Sequence, residues 1–203
     1  MARKLYYVDL NGLAESIRYI LHYSGQTFED IQYDHTKWPI QEIKDWLPYG
    51  QFPLYEEGGK TLNQSAAIGR YLSVQANLLP EDAWEQAELD ATVLSIHDFW
   101  SRVAVYIKEK DPDKRAAIKK EVLEERIDYY FSRFEKELKK NNGHFGKKLS
   151  WADFVLVGFV EATNLCFDIE LQKQFPTVNA LINKVQSLPG VKEYIAKRKV
   201  YRV

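Results

Sequence analysis

The chain has 203 residues, of which 45% are hydrophobic and 14% aromatic, enough for one large or two small domains with a substantial core. Its formal net charge is −1 with both signs interspersed, which argues against a nucleic-acid footprint or a polybasic membrane surface. Because the sequence shows no membrane-length apolar run and no secretory leader, we expect a cytoplasmic protein.

Cysteine and histidine usage argues against redox-dithiol and zinc chemistry. Cys166 is the single cysteine, so the sequence offers no internal disulfide and no Cys-x-x-Cys pair. The four histidines lack the spacing of metal ligands. We therefore expect no metal requirement.

Strand and helix signals alternate in the first part of the chain. An apolar run over 4–8 predicts a strand buried on both faces, a helical pattern follows, and a second strand is expected over 28–33. This order implies parallel strands joined by a helical crossover. After a short helical segment, Gly58-Gly59 predicts a hairpin and Ser65 begins a helix. The expected first domain, 1–75, is thus a β-α-β-α-β-β-α unit.

The stretch that ends at Ser65 has features of a ligand site. The first turn of a helix carries unpaired N–H groups and a partial positive charge, which favour a carboxylate or phosphate. Pro53 opens the third strand, and a cis bond before it would turn the backbone of Phe52 outward. An ordinary hairpin and capped helix explain the same residues, so this stretch alone does not decide between the two.

The second domain, 83–203, is expected to be all helical after a linker over 73–82. One core stripe has helical spacing and ends before Asp111-Pro112: Leu89, Val93, Ile96, Trp100, Val103 and Ile107. A second long helix to about residue 140 has its own core positions: Ile118, Val122, Ile127, Phe131, Phe134 and Leu138.

A capping box at Ser150–Asp153 starts the next helix of this domain. That helix, over 151–167, is apolar nearly all round and should therefore be central. Two shorter helices are expected over 178–187 and 191–197.

This order of elements resembles the glutathione transferase family, and the motifs are similar to its sigma class, which includes insect enzymes and glutathione-dependent prostaglandin D synthases. The resemblance covers essentially the whole chain and implies an α/β thioredoxin-like N-terminal domain followed by an all-α helical domain. In chain order the motifs are Leu5-Tyr6-Tyr7, Phe28-Glu29-Asp30, Trp38-Pro39, the LPYGQFP run of 47–53, Gln64-Ser65, Asp98-Phe99 and the LSWADF run of 149–154.

The resemblance implies that Tyr7 is the catalytic residue. A phenol that donates a hydrogen bond to the glutathione sulfur favours the thiolate, which is the nucleophile. Tyr6 should point to the opposite face of the sheet and belong to the core. A packing role for Tyr7 is the alternative from the strand alone.

The resemblance also implies a glutathione site, a homodimer and an apolar electrophile pocket. The chain is two residues longer between Trp38-Pro39 and Leu47-Pro48 than typical relatives, which leaves open whether Lys44 contacts glutathione. The implied glutathione residues are Tyr7, Trp38, Lys44, Gln51, Phe52, Pro53, Gln64 and Ser65, with Asp98 reaching the glutathione of the other subunit. The implied pocket residues are Leu10, Leu13, Trp100, Ala104 and Val155.

The implied function is conjugation of glutathione to small apolar electrophiles, and hydroperoxide reduction stays open beside it. Two alternatives remain, a glutathione-dependent prostaglandin D isomerase and a non-catalytic protein of the same fold. Leu94 and His97 stand where the prostaglandin synthases carry acidic residues, which argues against the first alternative.

Overall fold

A computed structural model describes residues 2–201. Its first part is a four-stranded mixed sheet of order β2-β1-β3-β4. The elements are β1 (Arg3–Val8), α1 (Glu15–Tyr23), β2 (Glu29–Tyr33), α2 (Gln41–Trp46), β3 (Leu54–Glu57), β4 (Lys60–Asn63) and α3 (Ser65–Gln75). This is the predicted β-α-β-α-β-β-α order, and the fold class is confirmed.

The register of the sheet brings distant residues to one edge. β1 runs parallel to β2 and antiparallel to β3, which pairs with β4. Tyr6 lies opposite Leu54, and Leu54 lies opposite Asn63. One residue further along each strand, Tyr7, Pro53 and Gln64 therefore meet at the same edge.

The rest of the chain is helical. The helices are α4 (Ala83–Lys108), α5 (Pro112–Glu121), α6 (Ile127–Lys140), α7 (Trp151–Phe167), α8 (Pro176–Gln186) and α9 (Val191–Lys197). α7 is buried along most of its length and packs against both α1 and α4, so it is the central helix that its composition predicts. Within 2–201, none of the helices is both long and apolar enough to cross a bilayer. The boundaries 1–75 and 83–203 stay a prediction.

The capping box predicted at the start of α7 is present. The Asp153 carboxylate accepts the backbone N–H of Ser150 at 2.8 Å and that of Phe145 at 3.0 Å. The oxygen that accepts from Ser150 also lies 3.1 Å from Nδ1 of His144. This buried carboxylate therefore joins the start of α7 to the loop before it.

The predicted long helix up to residue 140 is divided. A π-helical turn, Val122–Arg126, separates α5 from α6. Its wider turn allows Val122 and Ile127, five residues apart, both to face the core. All six predicted core positions of this stretch are buried.

Three other expectations are wrong in detail. Tyr6 is only half buried, because its face of the sheet meets α2, where its ring contacts the exposed Trp46; β1 is thus not buried on both faces. Ile107 is 37% exposed because it lies in the last turn of α4, beyond the core. The linker starts after Gln75 rather than at Ser73, which is buried in α3.

Candidate active site

Tyr7 lies near the end of β1 with its hydroxyl enclosed by the following turn. The backbone N–H of Leu13 donates a hydrogen bond to the Tyr7 Oη at 3.1 Å. Gly12, at φ +39°, makes this close approach possible, since a Cβ there would lie 2.6 Å from Oη. Because Oη accepts from Leu13, the phenolic proton is available to donate to a ligand.

The surroundings keep Tyr7 in its protonated form. Burial raises the pKa of the Tyr7 phenol, while the N–H of Leu13 and the cation of Arg18 partly offset the rise. A phenol that stays protonated at neutral pH is a hydrogen-bond donor, as the proposed role of Tyr7 requires.

Aromatic side chains surround Phe52 beside Tyr7. The ring of Phe52 stacks on Tyr33 at 5.3 Å, lies 4.7 Å from the Trp38 ring and meets Tyr7 edge-on at 6.4 Å between centroids. The Phe52–Pro53 bond is cis, as the resemblance implies. The structure thus brings three of the predicted glutathione residues together.

The helix start at the same edge also has the predicted form. α3 begins at Ser65, which is buried. Gln64 precedes it with a backbone φ of 69° and is exposed. Within the described part of the chain, no side chain caps this helix. Its first N–H groups are therefore directed to whatever binds at the edge.

Lys44 lies close to Gln51 in spite of the longer loop. A Cβ on Gly50, which has φ +61°, would lie 3.2 Å from the Cε of Lys44. The lysine stem thus runs over Gly50, next to the exposed Gln51. The contact of Lys44 with glutathione stays a prediction.

The expected electrophile residues occupy three elements. Leu10 and Leu13 follow β1, whereas Trp100 and Ala104 lie one turn apart on α4. Trp100 and Val155 are buried and the other three are half buried, and their role in an electrophile pocket stays a prediction. The Trp100 ring stacks on Phe159 of α7 at 5.0 Å, a contact that the sequence did not indicate.

A cavity of about 370 Å³ lies beside the turn that holds Leu10 and Leu13. Its lining includes none of the five expected electrophile residues. It is lined by Asn11, Glu161, Leu165, Ile195, Arg198, Lys199, Val200 and Tyr201. These residues come mostly from α7 and the end of the chain, which the motifs did not mark.

Asp98 lies apart from this group. It is exposed on α4, beside the buried Phe99. The hydrogen bonds found within 2–201 do not join it to Tyr7. Its neighbour His97 is packed edge-on against Phe159, and burial lowers the pKa of its imidazole, which favours the neutral form.

The structure shows a cluster of potential metal ligands beyond the ends of β1 and β2, which the sequence motifs did not indicate. Ligand atoms of Asp9, Asp34 and His35 all lie within 4.8 Å of one another. Asp9 Oδ1 already accepts both the N–H and the Nδ1 of His35 at 2.8 Å, so it ties the loop after β2 to the end of β1. Parallel neighbours predict this meeting, since both residues follow the carboxyl ends of adjacent strands.

Comparison with known proteins gives a consistent picture. Residues 3–74 match the family described as "Glutathione S-transferase, N-terminal domain", and residues 97–198 match "Glutathione S-transferase, C-terminal domain". Glutathione S-transferase of Anopheles gambiae is 34% identical over 204 residues, 98% of each chain. Hematopoietic prostaglandin D synthase of Mus musculus is 34% identical over 195 residues, 96% of each. The solved prostaglandin synthase D of Nilaparvata lugens superposes with a TM-score of 0.93 at 33% identity, over 99% of this chain and 100% of that one.

Proposed function

The chain belongs to the glutathione transferase family and uses glutathione as its co-substrate, and we propose that Tyr7 activates that thiol for attack on small apolar electrophiles. The observation that carries this proposal is the Tyr7 hydroxyl, buried, protonated and oriented by the N–H of Leu13. Similarity both to an insect glutathione S-transferase and to a hematopoietic prostaglandin D synthase supports a sigma-like enzyme.

The chemistry follows from the thiol. A free thiol has a pKa of about 8.5, so only a small fraction is thiolate at neutral pH. The Tyr7 O–H donates to the sulfur and stabilises the anion, and the thiol proton leaves to solvent. The sulfur lone pair then forms the C–S bond, while the leaving group departs with its own electron pair.

Glutathione fits along the edge where Tyr7, Pro53 and Gln64 meet. The γ-glutamyl carboxylate takes the uncapped N–H groups at the start of α3, with Gln64 and Ser65 beside it. The backbone of Phe52 pairs with the cysteinyl unit in the manner of an added strand. This arrangement directs the sulfur toward Tyr7.

The glycyl end lies toward the aromatic and cationic side of the site. Lys44, folded over Gly50 beside Gln51, offers its ammonium to the glycyl carboxylate. Trp38 contacts Phe52 and closes this end with its indole. The electrophile then packs against the half-buried Leu10, Leu13 and Ala104, backed by Trp100 and Val155.

The assembly belongs to the same proposal. Asp98 is exposed on α4 and free to reach a second copy, and the proposal makes it a ligand of the partner's glutathione in a homodimer. We also propose that the protein acts in the cytoplasm.

Prostaglandin D isomerisation is the second candidate. It is favoured by the mouse relative and the Nilaparvata lugens structure, whose names state that activity. Against it, Leu94 and His97 stand at the two positions where the prostaglandin synthases carry acidic residues. Leu94 is 59% exposed and apolar, and burial favours the neutral form of His97, so neither position supplies a negative charge. Product analysis with a prostaglandin endoperoxide and glutathione separates this activity from conjugation.

Tyr7→Phe is the test of the proposed mechanism. Removing the hydroxyl should lower turnover in an aryl-halide conjugation assay about 10²-fold, since positioned proton donors contribute at least that much. Glutathione binding by calorimetry should persist, because the carboxylate contacts remain.

Tyr6→Phe is the matched control for that experiment. It removes a hydroxyl from the neighbouring residue, which donates to Glu56 at 2.8 Å on the other face. Turnover of Tyr6→Phe should match the wild type. Full activity in Tyr7→Phe would rule out the mechanism, whereas wild-type protein without glutathione binding would leave a non-catalytic fold.

A further inference from the structure

A buried arginine on α1 connects the Tyr7 turn to the core. The Arg18 side chain is fully buried and donates to the Leu10 carbonyl at 2.9 Å and to Glu15 at 3.0 Å. Its Nε and Nη2 reach the two oxygens of Asp30 at 3.0 and 3.4 Å. The guanidinium is thus held in one orientation by a carbonyl and two carboxylates.

The Leu10 carbonyl belongs to the turn that orients Tyr7. After β1 ends at Val8, the turn passes through Leu10 and Gly12 and returns so that the Leu13 N–H reaches the Tyr7 hydroxyl. Arg18 therefore fixes Leu10, three residues before the residue whose N–H contacts the Tyr7 oxygen. A shift of the Leu10 carbonyl would change the direction of the Leu13 N–H.

Arg18 also places a positive charge beside Tyr7. Its Cζ lies 5.8 Å from the centroid of the Tyr7 ring, and both side chains are buried, so their interaction is weakly screened. Burial alone would lower the pKa of Arg18, but Asp30 and Glu15 outweigh it, so the guanidinium stays charged.

Other groups act on Tyr7 in the opposite direction. Glu15 on α1 and the Cys166 thiol on α7 both raise the pKa of the Tyr7 phenol, and Arg18 lowers it. The far side of Arg18 faces Asp30 and the tyrosines Tyr194 and Tyr201. Arg18 is thus the cation that acts on Tyr7 in this set of groups.

We infer that Arg18 is a positioning residue for Tyr7: it holds the Leu10 carbonyl so that the Leu13 N–H is aimed at the hydroxyl, and its charge favours the glutathione thiolate. This inference rests on the proposed function, because it requires the thiolate to form beside Tyr7. Arg18 acts through Tyr7 and the turn, and contributes no contact to glutathione.

Arg198 provides a matched control. It is a second arginine of the same cluster and pairs with Glu15 and with Glu161, and it donates to the Tyr19 hydroxyl at 3.1 Å. Its described hydrogen bonds do not include Leu10 or Tyr7. Arg198→Gln therefore disturbs the same ionic cluster and leaves the turn in place.

The experiment compares Arg18→Gln, Arg18→Lys and Arg198→Gln. The thiol pKa of bound glutathione is read from thiolate absorbance, together with kcat and KM across pH. Arg18→Gln should raise that thiol pKa by about one unit and lower kcat at neutral pH about tenfold, with KM for glutathione little changed. Arg18→Lys keeps the charge, so the thiol pKa should return to the wild-type value. Its kcat should recover only partly, because one ammonium cannot replace the planar guanidinium that contacts Leu10, Glu15 and Asp30 together.

Two results would overturn the inference. The first is an Arg18→Gln variant that folds and keeps the wild-type thiol pKa and kcat. The second is a shift of the thiol pKa in Arg198→Gln as large as that in Arg18→Gln. If Arg18→Gln does not fold, Arg18→Lys decides, since wild-type kcat in that variant contradicts the role of the Leu10 contact.

A second readout does not depend on catalysis. The phenol pKa of Tyr7 is obtained in ligand-free protein from the difference between wild-type and Tyr7→Phe ultraviolet titrations. The Tyr7 phenol pKa should rise most in Arg18→Gln, rise less in Arg18→Lys and stay at the wild-type value in Arg198→Gln. Loss of glutathione binding by the wild type would defeat the proposed function and leave this measurement intact.

Discussion

Gly12 shows how closely the backbone approaches the Tyr7 hydroxyl. It is buried, has a positive φ and lies where a Cβ would be 2.6 Å from Oη of Tyr7 and 3.4 Å from its Cζ. A side chain at this position must displace either the turn or the phenol. The orientation of Tyr7 therefore depends on a residue that carries no chemistry of its own.

Gly12→Ala should lower both activity and stability. The strained φ should reduce the free energy of unfolding by about 1–2 kcal/mol, and the displaced phenol should reduce kcat about tenfold or more, since misplacement of a reacting group is costly. Urea denaturation and the conjugation assay measure the two effects.

Gly25→Ala is the control for this substitution. Gly25 has φ +67° and open space around its Cβ position, so the variant carries backbone strain without the contact to Tyr7. It should lose comparable stability and keep the wild-type kcat. Equal kcat in Gly12→Ala and Gly25→Ala would show that the 2.6 Å approach does not orient the phenol.

The same turn marks the limit of prediction at the level of residues. Tyr7, Trp38 and Phe52 were named because they match motifs of the family that the chain resembles, and the structure places them together. Leu13 was named for its apolar side chain, whereas its backbone N–H proves to contact Tyr7. A backbone donor depends on the path of the turn, which side-chain types do not reveal.

Among the elements, the start of α7 depends on a single buried carboxylate. Asp153 is fully buried and accepts the N–H groups of Ser150 and Phe145, which hold the preceding loop against the helix. Because α7 packs on both α1 and α4, its buried start belongs to the core that these helices share.

Asp153→Asn should destabilise the protein with little direct effect on the site. The amide NH₂ would oppose backbone donors in a buried position, at a cost of about 2–3 kcal/mol in the free energy of unfolding. The kcat of the folded fraction should stay at the wild-type value. Chemical denaturation with an activity assay on the same samples gives both quantities.

Asp82→Asn makes the same chemical change at the start of α4. Asp82 is exposed and accepts one N–H, that of Glu85 at 2.9 Å, and asparagine caps a helix equally well. Its stability should therefore match the wild type. A wild-type denaturation midpoint for Asp153→Asn would show that the buried box adds nothing beyond an ordinary cap.

Elements were more predictable than their irregularities. The capping box and the apolar α7 follow from local patterns, so they could be predicted. The π-helical turn at Val122–Arg126 could not be predicted, because it depends on Val122 and Ile127 both packing into the core. The predicted burial of Tyr6 was wrong for a related reason, since it depends on how completely α2 covers that face of the sheet.

At the scale of the whole molecule, a buried ionic cluster joins the two ends of the chain. Arg198, after α9, pairs with Glu15 of α1 and with Glu161 of α7. Glu15 and Arg198 are 183 positions apart, so no local pattern could indicate the pair. Removal of one partner would leave a buried charge, which is more costly than the loss of a surface pair.

The proposed homodimer leads to the last prediction. If Asp98 completes the glutathione site of the partner subunit, Asp98→Ala should weaken glutathione binding about five- to tenfold, as expected for loss of one charge-assisted hydrogen bond. The dimer itself should persist, because one rim carboxylate contributes little to an interface. Calorimetry and sedimentation of the same preparation measure the affinity and the assembly. Asp128→Ala, at an exposed acid of α6, controls for loss of charge and should bind as the wild type does. Unchanged affinity in a dimeric Asp98→Ala would remove Asp98 from the site, and a monomeric wild type with full affinity would show that each chain forms its site alone.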